Sequence, residues 1–317
     1  MSTPSPAIQR LRLRTELRNA RTRANLTQRE VAAKMDWHPS KLIRIEAGEV
    51  AVTVNDLKAL LAEYGVSDRR RSDQLLQLAR GSRKLPFSEY RDIYGKEFLS
   101  FLALESSASV IRGFHYYVVP GLFQTEEYMR AMLTDTQWEA GTSAELDRKV
   151  EARLARQDIL EGDEGPQLFM ILDESVIRRR VGGPRVMKAQ MLRLAELADH
   201  PRIKLQILPF SIGAHRGLLG PFTHFEFAEE GMPDSLYLEN PRAETYASND
   251  PEETGRFLQA FWELEDVALA DHMSLRLRQV AEHVGDVSAD LHIPEADTGT
   301  DTNPGTGADG GPGDAPS

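Results

Sequence analysis

The chain has 317 residues, 41% of them hydrophobic, and exceeds what one hydrophobic core usually serves, so two folded domains are the starting expectation. It contains no cysteine, which excludes a disulfide framework, Cys-type zinc sites, thiol nucleophiles and thiolate-held clusters together and fits a reducing cytosol. The net charge of −11 is unevenly spread: residues 1 to 84 hold 17 Lys+Arg against 9 Asp+Glu, a net of +8, leaving 21 basic and 40 acidic residues for the remainder. That asymmetry reads as a polyanion-binding head on an acidic body.

Met1 to Gln9 lack an apolar run of signal-peptide length, and no stretch of about 18 apolar residues follows, so a soluble, cytoplasmic protein without a membrane span is expected. After a Ser/Pro-rich lead-in, Leu11, Leu17 and Leu26 thread an Arg-rich stretch that predicts a first helix over about Ala7 to Ala24. Four more helical segments follow before Pro86, and the domain boundary falls around Gly81 to Ser88. Ile93, Phe98, Phe101, Leu102 and Leu104 predict a longer helix over Glu89 to Ile111. YYVVPGLFQT at 116 to 125 starts extended and turns at Pro120-Gly121, after which Thr125 can cap a short helix to about Leu133; a further helix covers Ser143 to Leu160.

QLFMILDE at 167 to 174 and RIKLQILPF at 202 to 210 are short apolar runs closed by turn formers, and both predict buried strands. Between them lie a short helix at Ser175 to Val181, a Gly182-Gly183-Pro184 break and a helix at Val186 to Asp199. Shorter strands at Phe222 to Phe227 and Ser235 to Leu238 extend the pattern to β-α-α-β-β-β, and helices at Pro251 to Ala270 and Ser274 to Val284 close it. From Asp286 onward there are seven acidic residues and no Lys or Arg, which predicts a disordered tail. The expected class is therefore α+β: an all-α five-helix repressor-like head (1–85), a mixed α/β domain with a small sheet (86–285) and a disordered acidic tail (286–317).

LTQREVAAKMDWHPSKLIRIEAG at 26 to 48 carries the chemistry. Thr27 and Glu30 form a capping box, with Leu26 and Val31 as a hydrophobic staple around it, so a helix starts at Gln28. Val31, the small Ala32 and Met35 make its inward stripe, and Asp36 begins a turn. Pro39 suits the first position of a second helix, and Trp37 and Leu42 supply a second staple. With Leu42 and Ile45 inward, Pro39, Ser40, Lys41 and Arg44 stand on the outer side. Arg and Lys can donate to guanine O6 and N7, Ser is adaptable, and Pro39 or Ile43 can touch a thymine methyl. Gln28 and its neighbour Arg29, at the first turn of the preceding helix, are placed for phosphates.

The order Gln28, Ala32, Asp36, Leu42, Ile45 resembles the helix-turn-helix of the phage-repressor or xenobiotic-response-element class, with Asp36 where that class usually has Gly. The resemblance implies that Pro39, Ser40 and Arg44 read bases, that Gln28 holds the backbone, and that Arg21 pairs with Glu46. It also implies a homodimer on double-stranded DNA. TVNDLKALLAEY at 53 to 64 and residues 68 to 83 supply the fourth and fifth helices of such a head.

The remainder is similar to the C-terminal domain of an abundant set of regulators in high-GC Gram-positive bacteria. The likeness is carried by YYVVPGLFQTEEYMRAML at 116 to 133, RLARQDIL at 153 to 160, LDESVIRRRVGGPRVMKAQMLRLAELA at 172 to 198, IKLQILPFSIGAHRGLLGPFTHFEF at 203 to 227 and LYLEN at 236 to 240. It brings no enzymatic role, cofactor or metal to this chain. It implies a signal- or partner-binding domain, and such regulators are often encoded beside a small acidic protein. An antitoxin-like module that neutralises such a partner and autoregulates through its DNA-binding head therefore stays open as the alternative.

An enzyme would have to be assembled from His215, His224, Glu226, Asp173 and Glu174. Asp173 and Glu174 follow a strand and precede a helix, where acidic residues serve as caps and dipole partners. His224 alternates with Phe222 and Phe225 along a strand, and His215 lies in a Gly-rich loop, so structural roles are expected of both. A ligand or partner surface is sought at Pro120, Gly121 and Gln124, at His215 and His224, and at Tyr237 to Asn240.

Overall fold

The computed structural model describes residues 5–47, 50–82, 86–136, 141–161, 165–229, 231–239 and 246–284. The acidic tail from Asp286, Gly48 and Asn240 lie outside the described residues.

Five helices build the N-terminal head: α1 (Pro6–Arg23), α2 (Gln28–Lys34), α3 (Pro39–Glu46), α4 (Val54–Glu63) and α5 (Arg69–Gly81). Each starts on a side chain that accepts a backbone N–H left over at its first turn: Ser5, Thr27, His38, Thr53 and Asp68 respectively. Leu13, Leu17, Val31, Leu42, Ile45, Leu57, Leu60 and Leu75 meet in one core. Each such buried aliphatic side chain contributes about 2 kcal/mol.

The C-terminal part surrounds a six-stranded sheet in the order β3-β2-β1-β4-β5-β6. Its elements in chain order are α6 (Lys96–Glu105), β1 (Val110–His115), α7 (Glu126–Thr136), α8 (Ser143–Arg156), β2 (Gln167–Asp173), α9 (Glu174–Arg178), α10 (Gly183–Ala198), β3 (Ile203–Leu208), β4 (Phe222–Glu226), β5 (Ser235–Leu238), β6 (Tyr246–Ser248), α11 (Pro251–Val267) and α12 (Met273–His283). β1, β2 and β3 run parallel, and β4, β5 and β6 continue antiparallel. The fold is thus α+β, a helical head followed by a mixed sheet.

Alternate strand residues serve opposite faces. Ile111, Met170, Leu205, Phe225 and Tyr237 join α6, α10 and α12 in the larger core. Phe114, Ile171, Leu208, Phe222 and Leu236 close against Phe261 and Leu264 of α11 on the other face.

The long helix expected over Glu89 to Ile111 is corrected. The α-helix ends at Glu105, and Val110–His115 form a strand between β2 and β4. Every residue of β1 has a partner in β2, and five also have one in β4. A central strand covered on both faces shows no clean alternation, and its apolar residues merge with the helical pattern before it. Gly113 belongs there because a Cβ would stand 2.8 Å from His115 Nε2 and from Met170 Sδ. β6 had no sequence signal either.

α1 serves two cores. Leu13 and Leu17 face the head, whereas Leu11 is buried with Leu99, Leu102 and Leu104 in the core of the C-terminal part. Ser5 Oγ lies 2.6 Å from Ser107 Oγ, and Asn249 Nδ2 donates to Thr15 Oγ1 at 3.1 Å. The side of α6 bearing Ser100, Ala103 and Leu104 faces Ala7, Leu11 and Arg14 of α1 across a narrow groove. No helix among the described residues is long and apolar enough to cross a membrane.

Candidate nucleic-acid interface

The corner between α2 and α3 is fixed by local chemistry. Thr27 Oγ1 accepts the Glu30 N–H at 3.2 Å while Glu30 Oε2 accepts the Thr27 N–H at 2.7 Å, closing both halves of the capping box. These bonds hold the Glu30 carboxyl below its ordinary value, the backbone bond from Thr27 most of all. Asp36 turns the chain with φ +53, in the left-handed region. Pro39 opens α3, and its N-cap is His38, whose Nδ1 accepts the Ser40 N–H at 3.3 Å and lies 2.7 Å from Ser40 Oγ.

Two ties pin the far end of α3 to α1. Arg21 Nε and Nη2 donate to the two oxygens of Glu46 at 2.7 and 2.9 Å, with Arg21 Nη1 also on Leu26 O at 2.7 Å. Arg14 Nη1 donates to Ala47 O at 2.9 Å, and burial, with Arg18 beside it, pulls the Arg14 guanidinium down to about 10, so it stays charged at neutral pH. α3 thereby presents Pro39, Ser40, Ile43 and Arg44 to solvent. Ile43 is 46% exposed.

The remaining singled-out residues differ in freedom. Arg29 is exposed. Lys41 is half-buried, its Nζ 3.7 Å above the Trp37 ring and 3.2 Å from Asp56, so it is held against the head. Gln28 donates through Nε2 to Glu46 at 2.8 Å, which turns its side chain toward the Arg21 pair.

In the C-terminal part the sheet separates the other candidates. Pro120, Gly121 and Gln124 line a cavity of about 480 Å³ on the α6 side, together with Tyr237. His224 points to the opposite face: it is fully buried, Nε2 lies 3.4 Å from Asp234 Oδ2, and burial pulls its pKa down to about 4. His215 packs edge-on against Phe114, ring centres 5.7 Å apart. Asp173 caps α9 through the Ser175 N–H at 2.9 Å, and buried Glu174 accepts the Phe210 N–H at 2.7 Å while pairing with Arg178. Among the described residues no three His, Asp or Glu side chains converge as a metal site.

A helix-turn-helix domain model matches residues 12–74, and the model of a domain of unknown function, DUF5753, matches residues 98–278, more than half of the chain. The chain belongs to the DUF5753 family. It matches none of the curated proteins and none of the solved structures. The helix-turn-helix match supports a DNA-binding regulator.

Sequence reasoning passed over the polar residues of the DUF5753 cavity. Arg156 of α8 forms a buried fork with Glu105 of α6, Nη2 to Oε2 at 2.6 Å and Nε to Oε1. Burial pushes the Glu105 carboxyl up, against the pull of Arg156. Arg153 lies one turn earlier, and His115 at the end of β1 is kept neutral by burial. The only hint in the sequence is the Arg153–Arg156 spacing within RLARQDIL, which on a helix puts both on one face.

Proposed function

We propose that the protein is a sequence-specific transcriptional regulator that binds double-stranded DNA as a homodimer, with residues 39 to 47 in the major groove. On this reading residues 1–85 are the DNA-binding domain, residues 86–285 receive a signal or partner, and residues 286–317 are a tail. The observation that carries it is the outward face of α3, where Pro39, Ser40, Ile43 and Arg44 stand exposed on a corner locked by the capping box and the Arg21–Glu46 pair. A helix so placed, on a head with a net charge of +8, fits groove entry with base contacts from its first turns. Arg29 and the N–H groups of α2 are placed for phosphates.

The dimer finds support in exposed apolar side chains on α11 and on the loop tied to it. Leu218 is 66% exposed, Leu219 83% and Trp262 50%, and Arg216 ties this loop to α11 through Glu263. Two copies would set their α3 helices about 34–36 Å apart on a palindromic site.

The test is selection of bound DNA from a random pool, followed by affinity measurements for Arg44→Ala. The variant should lose about ten-fold or more on the selected site and much less on random DNA, with binding to both weakening steeply as salt rises. An equal loss on both DNAs removes Arg44 from base reading, and an unenriched pool removes sequence specificity.

A further inference from the structure

We infer that the cavity between α6, α8 and the sheet binds a small organic monoanion, a carboxylate carried on an apolar body. The inference deepens the reading of residues 86–285 as a signal-binding domain and rests on it.

The charge comes first. Glu105 occupies Nε and Nη2 of Arg156, which leaves Nη1 turned toward Gly121. Arg153 makes no ion pair among the described residues; it donates a hydrogen bond to the Tyr94 hydroxyl oxygen, and its buried Nε has no acceptor. Glu239 and Glu97 are exposed at the rim, where solvent screens them, although Glu239 still attracts both guanidinium groups. His115 adds no charge. The cavity therefore sets two cations, Arg156 buried and Arg153 half-buried, against one buried carboxylate, and a partly desolvated guanidinium with no carboxylate of its own is costly until an anion joins it. A single negative charge restores balance, whereas a phosphate dianion overshoots it. The planar fork of Arg suits a carboxylate.

The backbone is shaped for the same occupant. A Cβ on Gly121 would stand 2.5 Å from Arg156 Nη1, so the bare turn keeps that guanidinium nitrogen open, with Arg153 Nη1 at an ordinary contact distance of 3.6 Å. Gln124, only 2% exposed, spends its Nε2 on Val119 O at 2.6 Å, and no donor reaches its Oε1 among the described residues. That oxygen can accept an O–H or N–H borne next to the carboxylate. The other walls are apolar: Phe101 lies 4.3 Å from the Tyr237 ring and 5.8 Å from Phe98. A volume of about 480 Å³ is that of a small-molecule site.

The experiment uses the full chain and three acids, 3-phenylpropionate, indole-3-acetate and octanoate, each against its own primary amide, by saturation-transfer NMR and calorimetry. At least one acid should bind about ten-fold or more tightly than its amide. Arg153→Met should bring acid and amide level while leaving the melting curve near that of the wild type, because Arg153 holds no ion pair and gives up only its hydrogen bond to Tyr94. If no acid surpasses its amide in the wild-type protein, the inference fails, and that comparison needs no variant. A folded Arg153→Met protein that keeps the preference also overturns it. DNA binding is measured on the same samples: loss of acid binding with DNA binding intact sinks the ligand alone, and acid binding without DNA binding sinks the regulator reading alone.

Discussion

Arg21 and Glu46 meet through two parallel charge-assisted hydrogen bonds, and this fork, with Glu46 buried, fastens the first helix to the last turn of α3. Removing one partner strands the other charge. Arg21→Ala should cost about 3 kcal/mol in urea denaturation, and Glu46→Ala at least as much, because Gln28 loses its acceptor too. An apolar double replacement, Arg21→Met with Glu46→Leu, should be milder than either single change. Additive losses would show that the pair acts as two independent residues.

Asp36 occupies the left-handed region at φ +53, the conformation that makes the α2–α3 corner. A β-branched residue is strained there, so Asp36→Val should destabilise the protein by about 1–2 kcal/mol. Asp36→Gly should change stability by less than half of that, since relief of strain is set against a more flexible unfolded chain. Chemical denaturation midpoints for the three proteins check the order. Equal effects of Val and Gly would mean that backbone strain is not what Asp36 relieves.

His224 makes the folded chain sensitive to acid. Burial pulls its pKa from 6.5 to about 4, against the attraction of Glu226 and with Arg112 adding to the fall. Between those values the unfolded chain binds a proton that the folded chain refuses, so stability falls as pH drops through this window and is level above it. The loss is roughly 2–3 kcal/mol for a group so fully enclosed. Asp234, 3.4 Å from Nε2 and raised by burial, works in the opposite direction near its own titration. Urea midpoints at several pH values should show the decline in the wild type and a shallower one in His224→Leu. Parallel curves for the two would assign the decline to other groups.

The head was legible because its determinants are local. A capping box spans three residues, Pro39 fixes its own φ, and the leucine spacing of α4 reports its buried side directly. β1 was illegible because it is sheathed on both faces and its partners lie far along the chain: Val110 pairs with Gln167 on one side and Glu226 on the other. The same distance hid the cavity. Nothing in the helix over Ser143 to Leu160 marks Arg156 for burial, and only the packing of α6, which brings Glu105 to it, takes it out of water. Pro120 and Gly121 were noticed as a turn, but the reason for a bare Cα at 121 is the Arg156 guanidinium from another helix. Lys41 and Gln28 show the converse: spacing placed them on an outer surface, and nearby carboxylates, Asp56 and Glu46, draw both inward.

The ten residues of α6 work as a party wall. Phe98, Phe101 and Glu105 furnish the cavity, and Ser100, Ala103 and Leu104 rest on the helix whose Arg14 grips the final carbonyl after α3. The cavity on one side of α6 is thus separated from α1 by a single cylinder about 10 Å thick. The cavity and the grip at Ala47 are joined through two helices in series, α6 and then α1.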